Sequence, residues 1–198
     1  MTRSYVYFSA LVAFTAATAM IVASIFLPAW ITYSVTSPQG DKVEMHVGLH
    51  RRCINFHDPP CTDYPTPDMC QGEDGRTFCS MWKTVGFLAS LSAILCLASL
   101  VSFLVIIKGG KYKRETGWPF VTGMLTLVSL VEFFIVGTVS YLSRHDDQFA
   151  IPGFNLDVGW QISLASAVIC LLGAAGLAAS AYLLPPEDGY SFLEDADA

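Results

Sequence analysis

Four long stretches of this chain are almost free of charged side chains, and they constrain its fold more than any other feature. The stretches are 5–30, 84–107, 118–143 and 158–184. A helix that crosses about 30 Å of hydrocarbon needs roughly 20 apolar residues, because each residue adds about 1.5 Å. Each stretch meets this length, and only Glu132 places a charged group inside one of them. The sequence therefore predicts a protein that crosses a membrane four times.

The composition excludes several other classes of protein. Hydrophobic residues make up 53% of the chain and charged residues only 14%, whereas soluble domains carry about a quarter charged residues. The one dense basic run, 108–114, is too short for a nucleic-acid surface, so we expect no nucleic-acid partner. No nucleophile with a base, carboxylate pair or metal cluster stands out. We therefore predict no catalytic residue, no cofactor and no metal.

The distribution of cations predicts how the chain is oriented. Four of them lie between the second and third stretches: Lys108, Lys111, Lys113 and Arg114. Cations next to membrane segments stay on the cytoplasmic side. We therefore predict a multi-pass protein of the plasma membrane with cytoplasmic N- and C-termini, and with loops 31–83 and 144–157 outside. The first stretch far exceeds the roughly 7–15-residue core of a signal peptide, so we expect it to be retained.

Tryptophans mark the ends of the four segments. They are Trp30, Trp82, Trp118 and Trp160. An indole ring is amphipathic and favours the boundary between lipid and water. The positions of these four residues predict that their rings anchor the helices at the membrane interface.

The outer loop 31–83 contains two further patterns. Its first part alternates apolar and polar residues on either side of a turn-rich segment, 37–41, which predicts a β-hairpin. Its second part holds four cysteines: Cys53, Cys61, Cys70 and Cys79. On the oxidising side of a membrane an even number of cysteines predicts disulfides, and four allow three connectivities that spacing alone does not distinguish.

A metal site is the alternative interpretation of the same loop. Three histidines lie near the cysteines: His46, His50 and His57. The cysteine spacings lack the C-x2-C pattern of structural zinc sites. We therefore favour disulfides over a metal site.

The loop resembles the signature W...GLW-x-x-C...C of the claudin, peripheral myelin protein and epithelial membrane protein superfamily. The matching residues are Trp30, Gly48, Leu49, Cys53 and Cys61, and His50 stands where the family usually has Trp. The residues 118–123 that open the third segment, and Gly159 with Trp160 at the fourth, are similar to further landmarks of the family. The resemblance thus covers most of the chain in order, without being that of a typical claudin.

This resemblance implies an all-α transmembrane four-helix bundle with a small extracellular antiparallel β-sheet. Residues 1–184, with the extracellular loop 31–83, would form this one domain. The resemblance also implies a disulfide between Cys53 and Cys61, which leaves Cys70 and Cys79 to form a second one. With a second disulfide, the chain also resembles the gamma-subunit branch of this superfamily, whose members are associated with channels and receptors.

Some residues inside the membrane segments are unusual for their position. Glu132 lies near the middle of the third segment, where a carboxyl group is expensive unless it is neutral or paired. We favour a protonated carboxyl bonded to a Ser, Thr or Gln of a neighbouring helix over a group that handles ions. Small residues recur at four-residue spacing on the first and fourth segments, among them Ser9, Ala13, Ala17, Ser166, Cys170 and Ala174. We expect these faces to pack inside the bundle.

The tail 185–198 is acidic and has no periodic apolar face, so we predict a disordered cytoplasmic segment. Tyr190 and Leu193 resemble the two fixed positions of a tyrosine-based sorting motif. Four-residue patterns of this kind occur often by chance.

The leading hypothesis is a non-enzymatic structural and interaction protein of the plasma membrane. Its disulfide-stapled outer sheet would serve adhesion or membrane organisation. The alternative is an auxiliary regulatory subunit of an ion channel or receptor. A third hypothesis, that the protein is itself a pore, is weaker because four helices with one acidic residue offer few groups to line an ion pathway. The expected partners are the lipid bilayer and a membrane protein or a second copy, bound through the outer loop and the helices.

Overall fold

The computed structural model describes residues 2–36, 42–55 and 60–184. Within these ranges it contains four long helices: α1 Thr2–Phe26, α2 Gly72–Lys108, α3 Gly110–His145 and α4 Val158–Leu183. All four are long and apolar enough to cross a membrane, which confirms the transmembrane four-helix fold. The acidic tail with Tyr190 and Leu193 lies outside the described residues, and what the sequence predicts for it stays a prediction.

Two helix ends differ from the predicted segments for local reasons. α1 ends at Phe26, inside its apolar stretch, because Pro28 follows closely and the residue before a proline avoids the helical conformation. α3 begins at Gly110 rather than at Trp118, so residues 111–117 continue the helix beyond the apolar segment. Hydropathy marks only the part of a helix that lies in lipid.

α2 differs most, because it begins at Gly72 rather than at Thr84. Its added turns carry the buried side chains of Phe78, Cys79 and Trp82. Acidic residues in its first turn complement the positive end of the helix dipole. This part of α2 is a helix because it packs against the sheet, not because it is surrounded by lipid.

In the described residues, five strands form one antiparallel sheet at one end of the bundle. They are β1 Ile31–Thr36, β2 Lys42–Val47, β3 Arg51–Ile54, β4 Cys61–Asp63 and β5 Phe154–Leu156, in the order β4-β3-β2-β1-β5. The predicted hairpin is β1 with β2. β5 was not predicted, since it has only three residues, too few to show alternation. It forms by pairing with β1, where Phe154 lies opposite Tyr33.

Two tryptophans lie in the core rather than at the lipid boundary. One buried cluster joins the sheet to the helix ends beneath it, and a second fills the bundle nearer the α2–α3 turn. Trp30 and Trp82 are both 0% exposed within the first cluster. Their interpretation as interface anchors is therefore wrong, because protein atoms and not headgroups surround both rings.

The small face predicted on α1 does not pack inside the bundle as a whole. Ser9 and Ala13 are exposed and only Ala17 is buried. The inward side of α1 instead carries large residues such as Tyr7 and Phe14. The buried side of α4 does include the predicted small residues Ser166, Cys170 and Ala174.

Candidate functional site

The apolar face of the β1–β2 hairpin passes from buried to exposed along its length. Three cross-strand pairs lie on it: Ile31 with Val47, Tyr33 with Met45 and Val35 with Val43. The first pair is 0% and 1% exposed, whereas Val35 and Val43 are 40% and 36% exposed. Directly opposite side chains on one face of an antiparallel pair are in contact range. We call Val35 and Val43 the valine pair, and it is the exposed apolar end of the hairpin.

The polar face of the hairpin is bonded to the start of α4. The Thr32 hydroxyl donates to the Asp157 carboxylate and lies 3.0 Å from Nδ1 of His46. The same carboxylate accepts the Val158 N–H at 2.7 Å and so caps α4, and the Asp157 N–H donates to the Trp30 carbonyl at 3.0 Å. Asp157 is not among the predicted site residues, although an Asp directly before an apolar helix is a common N-cap signal.

Two residues of the loop signature fix the base of the hairpin to the end of α1. Trp30 donates its ring N–H to the Ser24 carbonyl at 2.7 Å and its backbone N–H to the Val47 carbonyl at 2.9 Å. Gly48 lies so close to the chain after α1 that an added Cβ would be 2.6 Å from Cα of Pro28. Only a glycine allows this approach of two backbones.

Leu49, the next signature residue, connects the sheet to an aromatic cluster. It is 2% exposed, and its carbonyl accepts the ring N–H of Trp82 at 3.1 Å. Around Trp82 lie the rings of Tyr64 at 5.3 Å, Phe78 at 5.7 Å and Phe149 at 6.2 Å between centroids. Burial raises the pKa of the Tyr64 hydroxyl above its usual range. The rings connect the end of β4, α2 and the α3–α4 connection.

Two disulfides close the loop. Cys53 and Cys61 are register partners on β3 and β4, with 4.1 Å between their Cα atoms. Cys70 and Cys79 join the short helix Pro67–Cys70 to α2, with 5.6 Å between Cα atoms. Among the three connectivities that spacing allows, these are the pairs that the family resemblance implies.

Glu132 connects three of the four helices near the middle of the bundle. Its side chain is 1% exposed, and those of Ser92 and Ser163 are 0% exposed. The Ser92 hydroxyl of α2 donates to Oε1, and the Ser163 hydroxyl of α4 donates to Oε2 at 2.6 Å. Each carboxyl oxygen thus has a hydroxyl partner on a different helix, which is the arrangement a buried carboxyl requires.

The comparison with protein families decides which family this chain represents. Residues 4–178 match the model of the PMP-22/EMP/MP20/Claudin family. The chain belongs to this family. The match extends from α1 into α4 and includes the whole sheet, so the resemblance found in the sequence is confirmed. Membership and the four candidate spans together establish a multi-pass membrane protein. A search of curated proteins found no match to this chain.

His50 departs from the signature of the PMP-22/EMP/MP20/Claudin family, which usually has Trp in its place. The side chain is exposed, and its ring lies over Gly86 of α2, with 3.1 Å between a ring carbon and the place that a Cβ on Gly86 would occupy. Its carbonyl accepts the Tyr64 N–H at 3.0 Å. The His50 ring, which is smaller than that of Trp, therefore packs against α2 at Gly86.

The residues of the alternative metal site are engaged in other ways. The four loop cysteines are bonded to one another in pairs. His46 contacts Thr32, and His57 lies outside the described residues. Within ranges 2–36, 42–55 and 60–184, no three His, Cys, Asp or Glu side chains form a group that could hold a metal ion.

The contacts of Glu132 predict opposite outcomes for two substitutions. Glu132→Gln keeps an oxygen that accepts from one of the hydroxyls of Ser92 and Ser163, and its amide N–H donates to the other, since a serine hydroxyl also accepts. We therefore expect almost unchanged melting in detergent and unchanged delivery to the cell surface. Glu132→Leu leaves both hydroxyls without a side-chain partner and should lower bundle stability by about 1 to 2 kcal/mol. Thermal unfolding of the purified variants measures the difference.

A coupled substitution serves as the control for Glu132. If the loss in Glu132→Leu comes from the broken bond to Ser163, then Ser163→Ala should add little in that background while it destabilises the otherwise native chain. A Glu132→Gln variant that folds normally yet fails to bind its partner would contradict a packing role and point to a charge that the protein uses.

Proposed function

We propose that this protein is a non-enzymatic structural and interaction protein of the plasma membrane. It meets a second copy or another membrane protein through the exposed end of its hairpin, in cell adhesion or membrane organisation. Members of the family are generally not enzymes, which supports a structural role. The observation that carries the proposal is the valine pair, an exposed apolar surface on a hairpin whose base is buried.

The structure around the valine pair supports a role of the pair in binding a partner. Single exposed apolar side chains are common, but these two lie side by side on one face, while Ser34 and Thr36 occupy the other face of β1. The hairpin is fixed at its base by the bonds of Trp30 and Asp157. A surface that is already ordered loses little conformational entropy when a partner binds.

The proposal requires the sheet to lie outside the cell, and two features support this orientation. At the α2–α3 turn, Lys108 and Lys113 are exposed, and Lys111 and Arg114 add two more cations in the sequence. Cations of this density next to membrane segments favour the cytoplasmic side. The sheet lies at the opposite end and carries two disulfides, which persist in an oxidising compartment. Both features support our proposal that the termini lie in the cytoplasm.

The alternative, a regulatory subunit of a channel or receptor, would use the helices for contact. A carboxyl that docks such a partner has to be accessible, but that of Glu132 is buried and bonded to Ser92 and Ser163. This burial favours the hairpin as the contact surface. Purification in mild detergent separates the two, since the alternative predicts a larger partner in fixed stoichiometry that does not depend on the valine pair.

Charge placed on the valine pair tests the proposed function. Val35→Glu combined with Val43→Glu would bury two carboxylates in any contact that covers the pair, which is costly without partners. We expect association, measured by cross-linking in native membranes, to fall by about tenfold or more, a change of about 1.4 kcal/mol per factor of ten.

The matched control places the same charges on the other face of the same strand. Ser34→Glu combined with Thr36→Glu adds two carboxylates at exposed positions of β1, and we expect association to change little. Equal surface delivery of both doubles shows that each folds. Association that survives in the valine double, or falls equally in both doubles, would contradict the proposal.

A further inference from the structure

A crevice runs between α2 and α3 on the surface of the bundle, and we call its end near the sheet the upper part and its other end the lower part. Its lower part is a cavity of about 510 Å³ with mostly apolar walls, formed on α2 by Met81 and Thr84 and on α3 by Phe134, Gly137 and Tyr141 among others. Phe134 and Tyr141 are 57% and 55% exposed. Thr84, Phe134 and Gly137 lie within the almost uncharged stretches 84–107 and 118–143, so the lower part opens toward lipid.

The crevice continues upward into a polar part of about 320 Å³ toward the sheet. Met81 and Tyr141 line both parts, so the two parts lie next to each other along the helices. Three carboxylates border the polar part: Asp74 on α2, and Asp146 and Asp147 directly after α3. His145 also borders it, with its ring stacked on Tyr141 at 4.6 Å between centroids.

The upper part of the crevice is acidic and the lower part is mostly apolar, and this difference indicates which class of ligand fits. Among the residues that the structure describes, no Lys or Arg lines either part. Asp146 accepts one hydrogen bond from the Gln148 N–H at 3.0 Å, which leaves further acceptor capacity on its carboxylate. A group of carboxylates attracts a cation and repels a phosphate or a carboxylate. The apolar part below takes a hydrocarbon chain.

Gly137 determines that the lower part is open. A Cβ built on Gly137 meets no atom of the described residues within 4 Å, so none of their side chains occupies this space. The opposing α2 residues Ser80 and Thr84 are small as well. Cavities of this size, with apolar walls and a few polar groups at one end, are typical of small-molecule sites.

We infer that the α2–α3 crevice binds a single-chain amphiphile whose head is an ammonium group. The chain lies in the lower part against Phe134 and Gly137, and the ammonium lies among Asp74, Asp146 and Asp147 in the upper part. Common phospholipids fit less well because their phosphate would face the three carboxylates. The inference does not depend on the valine pair or on its partner.

Two probes that differ only in the head group test the inference. Octadecylamine and stearate have the same chain length, and binding of each to the purified full-length chain in mild detergent is measured by native mass spectrometry. We expect octadecylamine to bind at least tenfold more tightly than stearate. Equal affinity for the two probes would overturn the inference.

Substitutions at two glycines show where the chain binds. Gly137→Leu adds a side chain to the lower part at a position where there is room for a Cβ, and it should weaken octadecylamine binding at least tenfold. Gly123→Leu is the matched control, since a Cβ at Gly123 also meets no atom within 4 Å on the same helix and Gly123 does not line the crevice. If both variants bind octadecylamine as tightly as the native chain, or lose it equally, the site is not this crevice.

The carboxylates are tested in the same way. Asp74→Asn combined with Asp147→Asn should weaken octadecylamine binding several-fold and leave stearate unaffected or slightly improved. Asp63→Asn combined with Asp68→Asn removes the same charge from exposed positions outside the crevice and should change neither. A preference for the amine that is unchanged by the first double would refute the assignment of the head group.

Discussion

Replacing Cys53 and Cys61 together by alanine is expected to loosen the outer strands of the sheet while the four helices stay in the membrane. The disulfide closes a loop with a sequence separation of 8 residues, and cross-linking a loop this short contributes about 2 to 3 kcal/mol by restricting the unfolded chain. β4 has 3 residues and lies at the edge of the sheet. Without the bridge, few backbone bonds would hold it.

The measurement compares limited proteolysis around β4 with the surface delivery of the protein. We expect cleavage near Asp63 to become several-fold faster, and most of the protein to be retained in the secretory pathway. Both cysteines are replaced at once because a single free thiol can form a wrong disulfide. Helix content measured by circular dichroism should hardly change, since the bundle does not depend on β4.

The second disulfide offers a matched control. Cys70→Ala combined with Cys79→Ala removes a bridge with a sequence separation of 9 residues, which joins the short helix before α2 to α2 itself. This double should loosen that helix and leave β3 paired with β4. Equal cleavage near Asp63 in both doubles, or none in the first, would show that Cys53 and Cys61 do not hold the edge of the sheet.

Much of the fold could be predicted because its signals are local in the sequence. Long uncharged stretches mark the four crossings, and alternation around 37–41 marks the hairpin. The family signature carried the pairing of the cysteines, which spacing alone left open. The remaining features depend on contacts between distant parts of the chain. β5 exists only because it pairs with β1, and α2 extends to Gly72 because its first turns pack against the sheet.

The candidate sites show the same division. The unusual position of Glu132 is evident from hydropathy, but its partners Ser92 and Ser163 are two among many serines in the helices. The sequence does not show which of them face inward, because the apolar segments have no strong polar side to mark the orientation. The valine pair is likewise invisible in advance, since alternation predicts a hairpin without saying where its apolar face leaves the core.

The crevice between α2 and α3 was not predicted at all. A cavity is created by side chains that are missing, and Gly137 in an apolar helix looks like any other small residue. Its acidic end combines Asp74 with residues that follow α3, far apart in the chain. Only the packing of the two helices brings them together.

Thiol labelling in intact cells should give an almost all-or-none result at the two ends of the bundle. Thr36 lies at the exposed end of β1, and Lys113 is exposed next to the α2–α3 turn. A cysteine at either position is distinguishable from the native free thiols, Cys96 and Cys170, because both of those are buried. Lys108, Lys111 and Arg114 still mark the turn when Lys113 is replaced, which leaves the orientation signal in place.

This labelling tests most directly the central claim that the hairpin faces the outside, where it can meet a partner. A membrane-impermeant maleimide should label Thr36→Cys in intact cells at least tenfold more than Lys113→Cys. Lys113→Cys should react only after the membrane is permeabilised, which also shows that its thiol is accessible. Labelling of Lys113→Cys but not of Thr36→Cys in intact cells would show that the hairpin faces the cytoplasm, which would contradict the proposed function.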